Sequence, residues 1–321
     1  MSYKIIYRLK NALNEAKLAG PNNKFIQLIE DHYHEEILLR LAEIKVSEDS
    51  KNIELLTNLF EMVEIILENT NLNEIDLVSI LNNFRGNNSE EIIDLYLRKN
   101  VLITTASGKT IYPKTLNQKH YLSALEKNDI IFAVGPAGTG KTYLGVLFAV
   151  SKLKSGEIKK IVLVRPVVEA GEKLGYLPGD VKEKIDPYLV PLYDSLNEAL
   201  GKDNVDRLIE KGIVEIAPLA YMRGRTIDGA IIILDEAQNS SQMQMKMFLT
   251  RLGYGSKMIV TGDITQIDLP NRSSSGLIQA LSFLKGIKDI KICHFESHDV
   301  MRHPLVQKII ERYERHEDQS L

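Results

Sequence analysis

The sequence predicts an α/β fold built on a parallel sheet, preceded by a small, mostly helical α+β domain. Three observations predict it. Glycine is scarce at the front, where only Gly20 and Gly86 occur in the first hundred residues, and plentiful after it. From residue 101 onward, short apolar runs alternate with helical patterns, which is how βαβ units and a parallel sheet read. One of those runs leads straight into a glycine-rich loop, Gly135–Thr142, that opens a helix.

A chain of 321 residues is long enough for two domains, expected at 1–100 and 101–321. Hydrophobic content of 44% and charged content of 26% are those of a soluble globular protein. No run is long enough to span a bilayer, so no membrane partner is expected. The start, MSYKIIYRLKNALNEAK, has charges throughout and no apolar core of a signal peptide. Cys293 is the one cysteine, which excludes an internal disulfide and suits a reducing, cytoplasmic setting.

The front domain has helical spacing, with Ile53, Leu56, Phe60, Val63 and Leu67 on one stripe. Glu43–Val46 reads as a short strand. The domain closes with polar RGNNSEE and one more helix. It holds 11 Lys/Arg against 17 Asp/Glu, so it offers no electrostatic grip on nucleic acid. The rest of the chain holds 29 against 26.

The strands expected in the rear domain are Ile130–Val134, Ile161–Val164, Ile213–Ile216, Ile231–Leu234, Met258–Val260 and Ile290–Ile292. Helices are expected near 140–153, 181–200, 241–252, 274–285 and 303–314. Met243, Met245 and Met247 alternate on a helix and so cannot share one face; core filling accounts for part of the run.

GPAGTGKT, from Gly135 through Pro136, Ala137, Gly138, Thr139, Gly140 and Lys141 to Thr142, fits the phosphate-loop pattern, with strand IIFAV before it and helix TYLGVLFAV after it. The glycines let backbone N–H groups curl round a phosphate, and the helix start adds its dipole. Lys141 is placed for the β- and γ-phosphates of a nucleotide and Thr142 for Mg²⁺. IIILDEAQNS then brings Asp235 and Glu236 out at a strand end. Asp235 suits the magnesium shell, and Glu236 suits orienting or deprotonating a water.

TGDITQIDLP ends the next strand. In a parallel nucleotide-binding sheet, ligands sit outside the carboxyl ends of the strands. An amide at Gln266 is placed to touch the attacking water and the γ-phosphate, and so to sense the latter. Asp263 either supports the metal or loop, or simply caps a turn.

Arg165 follows a strand directly, and Arg223 and Arg225 bracket Gly224 in a loop. Loop arginines at sheet ends hold nucleic-acid phosphates or a neighbouring subunit's nucleotide, or else pair with nearby acids. Cys293, His294, His298 and His303 are spaced too widely for a zinc knuckle, and strand-end packing fits them better.

These motifs, with RPVVEAGEKLGYLPGD (165–180), PLAYMRGRT (218–226), QMKMFLTRLGYGSKMIVTGDITQIDLP and DVMRHPLVQKI, resemble the PhoH-like ATPases, of the YbeZ type without an appended nuclease domain. The resemblance runs over about 110–314. It implies a RecA-like P-loop NTPase core related to the first motor domain of superfamily 1 helicases. It also implies a cytoplasmic protein of RNA metabolism that forms a ring. By the same resemblance, Gln118 in TLNQKHY is the adenine-reading candidate, and Arg302 in MRHP suits a charge-stabilising finger. Segment 169–184 is a candidate nucleic-acid element. Family members often carry a KH-like module at the front, and KH domains clamp RNA with GXXG. Residues 1–100 lack GXXG and are net acidic, which argues for a ring spacer or partner-docking role instead.

The function expected is ATP binding and Mg²⁺-dependent hydrolysis that remodels RNA or an RNA–protein assembly. The alternative is an ATP-gated docking module for an RNA-processing partner, with slow hydrolysis. A small-molecule kinase is disfavoured, because GDxxQ places water where a kinase excludes it. Partners expected are other copies of the chain, RNA, and an RNA-processing endonuclease or ribosome-maturation factor. Residues 264–321 are too few for a second motor domain. A neighbouring copy is therefore expected to complete the ATP site in a closed ring, with a hexamer as the expected size.

Overall fold

The computed structural model describes residues 2–98, 100–166 and 181–301, together with Val306, Ile309 and Arg312. Arg302, His303, residues 169–180 of the expected nucleic-acid segment and most of the helix expected near 303–314 lie outside the described residues. The chain divides into two compact units, Met1–Asn100 with Tyr112–Lys119, and Val101–Ile111 with His120–Leu321.

The first unit runs β1 (Tyr3–Arg8), α1 (Asn14–Ala19), α2 (Lys24–Tyr33), β2 (Leu38–Arg40), β3 (Glu43–Ser47), α3 (Ile53–Asn69), α4 (Glu74–Asn83) and α5 (Ser89–Leu97). Its three strands form an antiparallel sheet in the order β1-β3-β2. The expected stripe lies on α3, where Leu56, Phe60, Val63 and Leu67 are buried. Only the middle strand was legible. β3 alternates half-buried and buried positions, whereas the edge strands do not, and β2 is three residues long. An edge strand has a partner on one side only, so its sequence carries a weaker pattern. The turn between α1 and α2 is Gly20-Pro21-Asn22-Asn23, with left-handed backbone at Gly20, Asn22 and Asn23.

A short ribbon of β4 (Ile103–Thr104) and β5 (Thr110–Ile111) follows, then helix α6 (Leu116–Lys127). The second unit continues as β6 (Ile130–Val134), α7 (Lys141–Lys154), β7 (Lys160–Arg165), α8 (Val181–Leu200), α9 (Lys202–Glu210), β8 (Val214–Pro218), β9 (Ala230–Leu234), α10 (Gln242–Leu249), β10 (Lys257–Gly262), α11 (Gly276–Phe283) and β11 (Ile290–His294). The six strands β6–β11 form one parallel sheet in the order β11-β6-β10-β9-β7-β8. This is an α/β core of the P-loop NTPase type.

Alternate residues of each strand feed opposite faces. Ile131, Ala133, Ile161, Leu163, Ile233 and Ile259 pack towards α7 and α8. Phe132, Val134, Val162, Val164, Leu234 and Val260 pack with Met245 and Phe248 of α10 and Leu277 of α11. Burial on both faces is why these strands read as continuous apolar runs. Helices α6 and α9 were not foreseen; α9 packs Val205, Leu208 and Ile209 against the core and is polar elsewhere.

The strand order positions the site. β10 is inserted between β6, which leads into the glycine-rich loop, and β9, which leads into Asp235-Glu236. Register pairs Gly262 with Val134 and Val260 with Leu234, so the three strand ends open at one edge. Among the described residues, no helix is long and apolar enough to cross a membrane.

Candidate active site

The loop after β6 is held tightly to its neighbours. The N–H of Gly135 donates to Gly262 O at 3.1 Å, and a Cβ on Gly135 would stand 2.2 Å from Phe295 O. No other residue fits that approach. Gly140, at φ 84°, caps α7 in the left-handed region, so α7 starts at Lys141 with its N-terminal dipole on the loop. Lys141 is buried, and its amine donates to Gly135 O at 2.7 Å and Pro136 O at 2.6 Å. Thr139 Oγ1 donates to Pro136 O at 3.0 Å. Lys141 is thus held inside the ring of backbone that a phosphate would enter.

Asp235 emerges from β9 and is buried. Its Oδ1 accepts from Thr142 Oγ1 at 2.6 Å and from Thr261 Oγ1 at 2.8 Å. Glu236 follows with φ 52°, a left-handed conformation that costs a non-glycine residue free energy and is concentrated at functional sites. Both carboxylate oxygens are engaged. Arg165 Nη2 donates to Oε1 at 2.9 Å, and Gln238 Nε2 donates to Oε2 at 2.6 Å.

Gln238 is a side chain that sequence reading missed. It is buried, and besides Glu236 it donates to Gln266 O at 3.1 Å and accepts from Asp263 N at 3.0 Å. One amide therefore clamps the end of β9 to the end of β10. Gly262 makes this possible, because a Cβ there would come within 2.8 Å of Gln238 Oε1. The next residue repeats the link, with Asn239 and Asp268 exchanging two hydrogen bonds of 2.9 Å. Thr261 was missed as well. The only sequence signal was position, since Gln238 follows the Asp-Glu pair and Thr261 precedes Gly-Asp.

Asp263 divides its oxygens. Oδ1 caps the turn by accepting from Thr265 N at 2.9 Å and Thr265 Oγ1 at 2.6 Å. Oδ2 is buried with no hydrogen-bond partner among the described residues. A buried carboxylate oxygen left so points to a ligand, a water or an ion beside it.

Lys141, Thr142, Arg165, Asp235, Glu236, Asp263 and Gln266 all line one cavity of about 320 Å³, with Ala137, Gly138 and Gly140 of the loop. The donor set fits magnesium bound with phosphate. Thr142 and Asp235 offer hard oxygens 2.6 Å apart that would hold Mg²⁺, an ion that favours oxygen ligands and binds together with phosphates. Among the described residues, no three His, Cys, Asp or Glu gather in the way that an all-protein metal cage needs.

The remaining candidates are not among the described residues that line this cavity. Gln118 belongs to the first unit, where it is buried and its Oε1 accepts from Lys114 N at 2.7 Å. Arg225 grips Glu215 with both Nη atoms, at 2.5 and 2.8 Å. Arg223 is exposed beside Gly224. Arg302 lies outside the described residues. Cys293 is partly buried at the end of β11, and burial pushes its thiol up to about 11, which keeps it protonated.

A family model described as "PhoH-like protein" matches residues 110–314. The "PhoH-like protein" of Bacillus subtilis is 49% identical over 309 residues, which is 96% of this chain and 96% of that one. A "PhoH-like protein" of Synechocystis is 53% identical over 224 residues, 70% of this chain and 68% of its own. "Protein PhoH" of Escherichia coli K12 is 47% identical over 198 residues, 61% of this chain and 56% of its own.

Proposed function

The chain belongs to the PhoH-like protein family, and from that premise we propose that it is a magnesium-dependent ATPase of RNA metabolism, working in the cytoplasm as a closed hexameric ring. The observation that carries the ATPase part is the convergence of Lys141, Thr142, Asp235, Glu236, Asp263 and Gln266 on one cavity. All but Asp263 have a stated task there. The loop N–H groups and the start of α7 hold phosphate oxygens, and Lys141 neutralises their charge. Thr142 and Asp235 hold the magnesium ion, which supplies charge stabilisation at the phosphates. Glu236 orients a water and takes its proton. Gln266 reads the terminal phosphate, and Gln238 keeps Glu236 and the Gln266 loop in one geometry.

The RNA part rests on the family resemblance and on Arg223, exposed in a tight loop turned by Gly224 at φ 74°. The ring part rests on the resemblance and on the single phosphate loop in the sequence. The Arg165–Glu236 ion pair favours a second reading, an ATP-gated docking module with slow hydrolysis, because the proposed base is engaged by a cation.

The test is phosphate release from ATP by the full chain, with and without single-stranded RNA, alongside its mass in solution. RNA stimulation of roughly tenfold or more supports the remodelling ATPase. Hydrolysis indifferent to RNA favours the docking module. No hydrolysis and no ATP binding overturns both, and a monomer at working concentration overturns the ring.

A further inference from the structure

Among the described residues that line the cavity, Arg165 is the one cation that the proposed chemistry leaves without a task. Its place follows from the sheet. β7 and β9 are neighbours with Val164 opposite Leu234, so Arg165 and Asp235 leave their strands side by side. The N–H of Asp235 donates to Val164 O at 2.9 Å and locks that edge. From there Arg165 Nη2 reaches Glu236 Oε1 at 2.9 Å, while its Nε stands 3.8 Å from Asp235 Oδ2. The arginine side chain is 19% exposed and that of Glu236 37%, so the pair is partly shielded from water.

We propose that Arg165 is a positioning residue that makes Glu236 answer to the terminal phosphate of a nucleoside triphosphate. It holds the Glu236 carboxylate when the nucleotide carries two phosphates or none. It exchanges that carboxylate for phosphate oxygens when a third phosphate enters. The inference rests on the ATPase reading above.

Three features support the exchange. Oε1 of Glu236 is engaged by Arg165 and Oε2 by Gln238, so departure of Arg165 frees an acceptor position on Oε1 for a water. The guanidinium fork suits phosphate at least as well as carboxylate, and a terminal phosphate carries the greater charge. Among the described residues, the cavity lining holds three carboxylates, Asp235, Glu236 and Asp263, against two cations, Lys141 and Arg165. A further anion entering beside Glu236 thus draws the nearest guanidinium towards itself. Gln238 stays on Oε2 and keeps the carboxylate in place while Arg165 moves.

The test measures binding of a slowly hydrolysed ATP analogue and of ADP, with magnesium, to the full chain and its variants. In Arg165→Ala, affinity for the ATP analogue falls about tenfold while ADP affinity stays within about twofold. Glu236→Gln, which frees the guanidinium, tightens the ATP analogue in the parent chain but not in Arg165→Ala. Arg165→Lys keeps part of the ATP preference. Equal losses for ATP and ADP overturn the proposal, as does tightening by Glu236→Gln that is the same with and without Arg165. If Arg165→Ala does not fold, the comparison of Glu236→Gln with and without Arg165→Lys decides: additive effects on ATP preference overturn the exchange. A parent chain that binds neither nucleotide refutes the ATPase reading itself, and the two failures are therefore distinct.

Discussion

The hydroxyl of Thr142 donates to Asp235 Oδ1 at 2.6 Å, although 93 residues separate the two in the chain. Thr261 Oγ1 reaches the same oxygen at 2.8 Å and stands 3.1 Å from Thr142 Oγ1. Three strand and helix ends thus meet at one carboxylate. Thr261 has no place in the usual phosphate-loop pattern, yet it aims Asp235. Thr261→Val keeps the shape and removes the hydrogen bond. The magnesium concentration for half-maximal hydrolysis is expected to rise on the order of tenfold, as for other groups that orient a ligand. A magnesium titration of ATP turnover checks it, and an unchanged midpoint rejects the role.

Lys141→Ala is expected to abolish ATP binding, since the amine sits inside the loop that takes the phosphates. Glu236→Gln is expected to retain ATP binding and to lower turnover by about 100-fold or more, trapping bound ATP. Equilibrium binding and single-turnover hydrolysis separate the two effects. Turnover near the parent's by Glu236→Gln removes Glu236 from water activation.

Gln238→Leu keeps side-chain volume but leaves Asp263 N and Gln266 O without their partner. Loss of hydrogen bonds at such a buried site costs about 1–3 kcal/mol. The expected outcome is a lower melting temperature together with a fall in kcat that exceeds any rise in KM, because the clamp orients Glu236 and the Gln266 loop. Equal and small changes in both constants would mean that the clamp serves stability alone.

Arg225 and Glu215 form a bidentate pair, and Arg225, then Lys160, holds the Glu215 carboxyl down to about 2. A depressed carboxylate adds stability that is full above its ordinary value and is lost as pH falls through about 4.5 towards 2. Arg225→Ala is expected to cost about 1 kcal/mol at neutral pH, since the pair is a third exposed and Lys160 remains on Glu215. It should also flatten the acid side of the stability curve. Loss of RNA affinity without loss of stability would instead assign Arg225 to nucleic acid.

In the first unit, Glu64 is buried at 1% exposure and accepts from Tyr7 Oη, Lys10 N, Asn11 N and Asn14 Nδ2. Burial alone raises its carboxyl, but these donors outweigh burial and hold it below 4.5. Its contribution is therefore present above 4.5 and lost as pH falls through the lowered value. Glu64→Gln keeps the shape and removes the charge. Thermal melting of this variant at pH 7 is expected to drop by several degrees, and the gap to the parent should narrow towards pH 3. A constant gap across that range overturns the charge-based account.

Much of the α/β core was legible because its information is local. A strand buried on both faces must be apolar throughout, so Ile130–Val134 and Ile231–Leu234 could be read without neighbours. A loop that wraps phosphate must be glycine-rich and must open a helix, so Gly135–Thr142 announced itself. The alternation of strands and helices then required parallel pairing. Edge strands such as β1 and β2 left no comparable mark, because one-sided burial imposes a weak pattern.

Tertiary structure decided what the strand order brings together. Chain order puts β10 after β9, but the sheet inserts it between β9 and β6. That insertion carries Asp263 and Gln266 to the phosphate loop and lets Gln238 span the gap. It also decided the arginines. Arg165 at a strand end and Arg225 in a loop had the same alternatives open in sequence, yet one enters the cavity against Glu236 and the other closes on Glu215. Composition and spacing specify which residues can form a strand, a loop or a charge pair. Which carboxylate an arginine meets depends on the neighbour that register and strand order supply, and those are set only when hydrophobic faces from distant segments are buried together.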